Sequence, residues 1–201
     1  MRHRRILLAM VFLWVAGCTH AIPRLGTSGR YLEGRDQFLR GRGGDMDRAV
    51  SALETVVRDD PTYKDSLTLL GRAYYRQERF ADAHVILQRA VAVNKDDEIA
   101  WMTLGITQLR LNDNARGMES LKGAVTLLSK VAVAGYRGYK LWDINGQVRI
   151  GLRRCALSVS KGIESKEEII RNTEALLARM DEEENWQRIQ FPREQLRDVT
   201  R

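Results

Sequence analysis

The chain has 201 residues, of which 44% are hydrophobic and 29% are charged. This balance is typical of a folded domain and excludes a disordered tail, a collagen or a polytopic membrane protein. Two cysteines, three histidines and three prolines are too few for a disulfide framework or a Cys/His zinc cluster. The formal net charge is +7, and its location along the chain decides how it is interpreted.

The first 17 residues have the three parts of an export signal. Three arginines lie among the first five residues, an unbroken apolar run follows from Ile6 to Val15, and the small residues Ala16 and Gly17 end it. As a helix, the stretch from Ile6 to Gly17 would span about 18 Å, which is less than the roughly 30 Å hydrocarbon core of a bilayer. A permanent transmembrane helix is therefore disfavoured.

The segment Val15-Ala16-Gly17-Cys18 resembles the lipobox of bacterial lipoproteins. The resemblance implies that residues 1–17 are a lipoprotein signal peptide and that Cys18 is acylated, with more than one acyl chain because a single chain binds membranes only marginally. Thr19 is not the Asp that retains some lipoproteins in the inner membrane, so the outer membrane is favoured. The alternative is an ordinary cleaved signal peptide or an uncleaved anchor in which Cys18 is incidental.

Residues 18–30 are predicted to be a tether. They contain Pro23, Gly26 and Gly29 among polar residues and have no sustained period. The tether is too short to reach across a periplasm.

A 34-residue repeat follows the tether. Five small or apolar residues recur with small or apolar character 34 positions later: Leu67, Leu70, Gly71, Leu87 and Ala90 correspond to Trp101, Leu104, Gly105, Leu121 and Ala124. The local pattern predicts a first helix from about Pro61 to Gln77 and, after a turn at Arg79, a second helix to about Asn94. A period of 34 residues is the length of the tetratricopeptide repeat (TPR).

The segments from Leu69 to Ala90 and from Trp101 to Ala124 resemble the TPR family. The resemblance implies an all-α fold, a TPR helical-hairpin solenoid with additional C-terminal helices, in which residues 31–129 form a TPR domain of about three units. The first unit is degraded, because Gly34 and Ala49 are 15 positions apart instead of 12. This spacing predicts a longer turn around residues 41–44.

The 34-residue period stops after Ser129, and two further helices are predicted. An apolar stripe from Leu141 to Val159 lies within a basic helical segment, residues 130–164. Residues 165–201 form a C-terminal amphipathic helix and tail. The acidic residues from Asp181 to Glu184 are expected to cap the exposed end of the stack, because repeat arrays need polar ends to stay soluble.

The sequence contains no catalytic or metal-binding motif that we recognise. His84 is the one histidine in the predicted folded body, and Cys155 falls on an apolar stripe, where a small buried side chain is the expected role. We therefore predict that the protein is not an enzyme and that it has no catalytic residues, metal or cofactor. The alternative is a cell-wall enzyme, or a direct regulator of one, with chemistry in the C-terminal half and Asp143 and Glu164 as its carboxylate pair.

In TPR proteins the first helix of each unit lines a concave groove that binds peptides or helices. The resemblance implies that a partner-binding groove is lined by Thr68, Arg72, Tyr75, Arg76, Met102, Ile106, Leu109 and Arg110. One alternative is that Met102, Ile106 and Leu109 are core residues. Another is that the chain is a structural spacer whose groove is filled by its own C-terminal helix.

The positive charge is concentrated in one segment. Without residues 1–17 the chain keeps 30 basic and 26 acidic residues, a net charge of +4, and residues 130–164 alone carry +5. The predicted basic patch consists of Arg137, Lys140, Arg149, Arg153 and Arg154. It suits an anionic lipid surface, an acidic partner or simple solvation. Nucleic acid is not expected as a partner, because an exported protein does not meet it.

These features predict a lipid-anchored adaptor or scaffold that faces the periplasm. The chain resembles the TPR lipoproteins that act as pilotins and assembly factors. It would mediate protein-protein interaction in an envelope assembly, secretion, pilus or polysaccharide-export system. The partner would be an envelope protein or peptide in the groove, and the sequence determines neither its identity nor the oligomeric state.

Overall fold

The computed structural model describes residues 26–131, 136 and 142–190. The predicted signal peptide, Cys18 and most of the tether lie outside the described residues. Eight α-helices lie within the described part: α1 Thr27–Leu39, α2 Met46–Asp59, α3 Ser66–Arg76, α4 Phe80–Val93, α5 Glu98–Arg110, α6 Asn114–Val131, α7 Gln147–Lys161 and α8 Lys166–Gln190.

Consecutive helices pair as antiparallel hairpins, and the hairpins stack in chain order. The extensive pairs are α1 with α2, α3 with α4, α5 with α6 and α7 with α8. The first helices of the first three hairpins, α1, α3 and α5, also contact one another in turn, so they share one side of the stack. This side is the face on which the sequence places the groove.

One glycine-leucine contact repeats in the first three hairpins and sets their close packing. A methyl group added at Gly34, Gly71 or Gly105 would lie 2.7, 2.5 or 2.6 Å from the Cγ atom of Leu53, Leu87 or Leu121. No side-chain carbon fits at such distances, so glycine lets the two helices of each hairpin approach. The three leucines are 34 residues apart, which confirms the period.

The three extra residues of the first unit form the longer turn that the spacing predicts. They appear as the short 3-10 helix Gly41–Gly43 between α1 and α2, and Gly41 has a positive φ of 57°. Glycine adopts this left-handed conformation without steric cost. The extra turn lengthens the loop while α1 and α2 still pair.

Two predicted boundaries are wrong. Helix α3 begins at Ser66 and not at Pro61, because the Asp60 carboxylate accepts hydrogen bonds from the Thr62 backbone N–H and hydroxyl, and the chain forms a turn first. The predicted tether also ends early, since α1 begins at Thr27. The first backbone hydrogen bond of α1 runs from the Arg30 N–H to the Gly26 carbonyl.

Helix α8 does not cap the end of the stack as predicted. It folds back across the side formed by α1, α3 and α5, where it packs on α1 and α5 and bonds to α3 through long side chains. Asp181 and Glu184 are accordingly buried, at 7% and 9% exposure. Arginines on the facing helices compensate these charges, which an isolated acidic stripe does not reveal.

Candidate partner-binding groove

The eight residues predicted to line the groove do not all lie at one site. Four of them line a cleft beside α8: Arg72, Tyr75, Arg76 and Arg110. Thr68 is instead buried and donates a hydrogen bond of 2.6 Å to the Asp97 carboxylate, away from this cleft. Partner binding by the four cleft residues stays a prediction.

The other three predicted groove residues, Met102, Ile106 and Leu109, are fully buried on α5. They belong to the same apolar cluster as Ile169, Ile170, Leu176, Leu177 and Met180 of α8. These three residues are therefore core residues, as the alternative interpretation of the sequence held, and α8 is one of the helices that cover them. An apolar stripe looks the same in sequence whether another protein or the same chain covers it.

The centre of the groove is a carboxylate shared by two arginines. One guanidinium nitrogen of Arg72 lies 2.7 and 2.8 Å from the two Asp181 oxygens, and Nη2 of Arg76 lies 2.5 Å from Oδ2. Arg76 also donates to the Phe38 carbonyl of α1, at 2.9 Å. Charge-assisted bonds of this kind are the strong class of hydrogen bond, so the cluster joins α1, α3 and α8.

Both guanidiniums also lie on an aromatic ring. The Cζ atoms of Arg72 and Arg76 are 4.8 and 3.8 Å from the Phe38 ring centroid, within the range of cation-π attraction. Burial and the neighbouring positive charge of Arg72 lower the pKa of Arg76 to about 10, although Asp181 opposes both effects. One carboxylate thus only partly compensates two neighbouring cations.

A second polar cluster joins α3 and α5 to the middle of α8. The Tyr75 hydroxyl donates to Oε1 of Glu174 at 2.6 Å, and Nη2 of Arg110 donates to the same oxygen at 3.2 Å. Burial and the hydrogen bond to Glu174 raise the pKa of Tyr75. The phenol therefore stays protonated and acts as a donor at neutral pH.

A cleft of about 450 Å³ remains open between α3, α5 and α8. The arginines 72, 76 and 110 lie along it, and Tyr75, Phe80 and Leu177 supply its apolar surface. The rings of Tyr75 and Phe80 are in contact, with centroids 5.3 Å apart. A cleft with apolar walls and a few charged groups is typical of a site that binds another molecule.

Helix α1 contributes contacts that the sequence prediction missed. Arg35 pairs with Glu184 at 2.5 Å, and Asp36 accepts a hydrogen bond from Arg188. An alignment of the first two units on Gly34 and Gly71 would have found Arg35. Arg35 directly follows Gly34, just as Arg72 directly follows Gly71. The three-residue insertion hides this match at a fixed period of 34.

The predicted basic patch is only partly within the described structure, because Arg137 and Lys140 lie outside it. Arg149 forms an ion pair of 3.2 Å with Asp143, whereas Arg153 and Arg154 are exposed on α7. Ile150 and Leu157 are exposed on the same helix, at 46% and 58%. The structure thus brings three of the five patch residues onto one helix.

The carboxylate pair of the enzyme alternative is not brought together. Asp143 precedes α7 and accepts hydrogen bonds from the backbone N–H groups of Val148 and Arg149, so it caps the helix. Glu164 follows the other end of α7, and a 15-residue helix of about 22 Å separates the two. Two carboxylates at this separation cannot act on one bond.

Other chemistry-bearing groups have ordinary surroundings. Cys155 is fully buried 3.3 Å from the Thr173 hydroxyl, and burial raises the pKa of its thiol. Among the described residues, no group of three His, Cys, Asp or Glu side chains is arranged to hold a metal ion. No helix of the described part is long and apolar enough to cross a membrane.

Comparison with known proteins finds a known repeat in part of the chain. The profile of the tetratricopeptide repeat family matches residues 42–109. The chain is also similar in structure to the TPR2B domain of yeast Sti1 in complex with pHsp70, with a TM-score of 0.51 and 18% sequence identity over 67% of this chain and 96% of that domain. The fold is a TPR solenoid. No curated protein matches the sequence significantly.

Two structures of MamA are also similar to the TPR solenoid. One has a TM-score of 0.49 and 19% identity over 81% of each chain. The other has a TM-score of 0.48 and 20% identity over 85% of this chain and 90% of that one.

Proposed function

We propose that the protein is a lipid-anchored adaptor of the bacterial cell envelope, which binds a partner protein or peptide on the concave side of its TPR solenoid. The observation that carries this proposal is the open cleft between α3, α5 and α8, where arginines and aromatic rings meet. TPR repeats commonly present such a surface to partners. In the similar Sti1 domain, the TPR2B fold is found in complex with pHsp70.

The partner of this chain would belong to an envelope assembly, secretion, pilus or polysaccharide-export system. The support for this setting is the sequence before Gly26, where an apolar run ends in Ala16-Gly17-Cys18. A diacylated or triacylated Cys18 would hold the solenoid close to the membrane, because only a short tether precedes α1. Thr19 favours the outer membrane and a surface that faces the periplasm.

The anchor is tested by labelling cells with radioactive or alkyne-bearing palmitate. We expect the intact chain to incorporate label and the Cys18→Ala variant to lose it. Cys155→Ala is the matched control and should be labelled normally, because Cys155 is buried in the fold. Label that persists in Cys18→Ala would contradict the lipid anchor.

Partner binding in the cleft is tested by photo-crosslinking in cells. A photoreactive phenylalanine analogue at Tyr75 should capture a partner because Tyr75 lines the cleft. The same analogue at Val85, which is 56% exposed on α4, serves as the control. Mass spectrometry would identify the captured protein. Equal products from both positions, or none from Tyr75, would argue against the cleft as the binding site.

A further inference from the structure

The buried side of α8 changes its chemistry at Met180. Up to that point the buried residues are almost all apolar: Ile169, Ile170, Thr173, Leu176, Leu177 and Met180. After it the buried residues are all polar: Asp181, Glu184 and Gln187. Trp186 and Ile189 of the same stretch are 41% and 67% exposed. We call residues 166–180 the apolar half of α8 and residues 181–190 the polar end.

The two parts of α8 are therefore held by different forces. The apolar half is part of the hydrophobic cluster that includes Met102 and Leu109 of α5. The polar end meets α1 and α3 through ion pairs of Asp181, Glu184 and Arg188. On its other side, Glu183 accepts a hydrogen bond from the Asp143 backbone N–H at 3.1 Å.

Ion pairs hold a helix end less firmly than apolar burial does. When the polar end detaches, its carboxylates and the facing guanidiniums regain water, which offsets most of the lost attraction. An apolar half that detached would instead expose its hydrocarbon to water without compensation. Local opening of a helix starts from the end with the weakest packing, and here that is the polar end.

The surface beneath the polar end carries three arginines and includes the ring of Phe38. Arg35, Arg72 and Arg76 lie there with Phe38, and Asp36 is the carboxylate that α1 adds. Without the polar end, the three guanidiniums would lose Asp181 and Glu184, their acidic partners. We call these four residues, Arg35, Phe38, Arg72 and Arg76, the arginine face.

We propose that the arginine face is a docking surface for an acidic amphipathic helix of a partner protein, and that the polar end of α8 is its displaceable occupant. The polar end itself shows the chemistry that fits. Asp181 and Glu184 are three positions apart on one helix face, and this spacing reaches Arg72 and Arg76 with one carboxylate and Arg35 with the next. The proposal rests on the proposed adaptor function and names the partner's chemistry.

The open cleft gives such a partner its first contact. It lies beside Leu177 and Ala178, one turn before the polar end begins, and Arg72 and Arg76 line it. A partner carboxylate that enters the cleft reaches the same guanidiniums as Asp181. Displacement can then proceed from the cleft toward the end of α8 without disturbing the apolar half.

Hydrogen exchange of the intact chain tests the first part of the proposal. Amides of residues 183–190 should exchange at least about tenfold faster than those of residues 170–180, because the polar end opens alone. Raising the NaCl concentration from about 0.05 to 0.5 M should widen this difference, because salt screens the ion pairs. Equal protection of the two parts at both salt concentrations would overturn the proposal.

Peptide binding tests the second part. The probe is a fluorescein-labelled synthetic peptide of residues 177–190. In the full chain, the double substitution Asp181→Asn with Glu184→Gln removes the ion pairs that hold the polar end on the arginine face. The probe should bind this variant at least about tenfold more tightly than the unsubstituted chain, because the arginine face is then more often uncovered. A peptide that carries the same two substitutions should not bind.

A matched variant controls for net charge. Glu167→Gln with Glu182→Gln removes two carboxylates of α8 that are 64% and 65% exposed, and it should bind the probe no better than the unsubstituted chain. Equal binding by both double variants, or tighter binding of phosphatidylglycerol vesicles than of the peptide by the weakened variant, would overturn the proposal. The exchange experiment needs no substitution, so it decides the first part even where a variant is unstable.

The exchange and peptide-binding experiments can fail independently of the crosslinking experiment that tests the proposed function. Missing crosslinks from Tyr75 in cells would remove the adaptor function but leave exchange and peptide binding unchanged. Crosslinks in cells without peptide binding in solution would keep the adaptor and reject the acidic helix as the chemistry of its partner.

Discussion

The stacked hairpins and helix α8 are held in place by two different kinds of contact. In the hairpins one glycine-leucine contact recurs, and its partners, such as Gly71 and Leu87, are close in the sequence. Helix α8 pairs with α7, but its contacts across the concave side join residues far apart in the sequence, such as Arg72 with Asp181 and Arg35 with Glu184. The hairpins therefore determine the fold, whereas α8 determines which part of the concave side is open.

The largest effect is expected from the apolar half of α8. Leu176 is fully buried, and Leu176→Ala should lower the free energy of unfolding by about 3 kcal/mol, because it leaves a cavity in the second cluster. Chemical denaturation measures this. Leu157→Ala is the control, since Leu157 is 58% exposed and its loss should cost less than about 0.5 kcal/mol. Similar losses in both variants would mean that α8 is not part of the core.

A smaller loss is expected in the hairpins. Gly71→Ala should lower the free energy of unfolding by about 2 kcal/mol, because the new methyl group would lie 2.5 Å from Leu87 Cγ and force the helices apart. Gly123→Ala on α6 is the matched control, because nothing lies within 4 Å of its added methyl group. Alanine there should stabilise the helix by up to about 1 kcal/mol. The same change in the free energy of unfolding in both variants would refute close packing at Gly71.

The polar end of α8 should contribute less to global stability than its buried ion pairs suggest. Asp181→Asn should cost less than about 1 kcal/mol in the free energy of unfolding, because the polar end can open and let Arg72 and Arg76 hydrate. A rigid site would lose about 3 to 5 kcal/mol when one partner of a buried pair is removed. Denaturation of the Asp181→Asn variant distinguishes the two, and a loss in the higher range would show that the polar end does not open.

The smallest expected effect is that of salt on the reactivity of the thiol beneath the apolar half. Cys155 contacts Thr173 of α8, and its buried thiol has a raised pKa, so iodoacetamide should alkylate it at least about 100-fold more slowly than in denaturant. Raising the salt concentration should leave the rate within about twofold, because apolar packing is not screened. The Cys18→Ser variant leaves Cys155 as the one thiol. Acceleration by salt would indicate that the two parts of α8 open together.

Sequence reasoning predicted the hairpins well because their contacts are local and repeated. Gly71 and Leu87 belong to one 34-residue unit, so the same spacing appears again at Gly105 and Leu121. Even the irregular first unit was interpretable, since three extra residues between its helices required a longer turn. The predicted start of α3 was wrong because the Asp60 carboxylate closes a turn with Thr62, and the sequence pattern of the helix does not show this turn.

The groove was predicted only in part because its residues acquire their roles from α8. Arg72 and Arg76 were found by their place on α3, yet their shared partner Asp181 lies more than 100 residues away. The acidic stripe from Asp181 to Glu184 has the pattern of a solvated helix face. Only the position of the helix against the arginine face buries two of these carboxylates, Asp181 and Glu184, and pairs them with arginines.

The sequence by itself determined that this protein is a stack of helical hairpins, because a repeat records short-range packing in the spacing of its own residues. The tertiary structure alone decided that the C-terminal helix lies in the groove instead of beyond the last hairpin. The sequence of an amphipathic helix indicates that the helix packs against an apolar surface, but not which surface that is. Here the apolar partner is the buried stripe of α5, and the guanidiniums of α1 and α3 then pair with the carboxylates of the polar end.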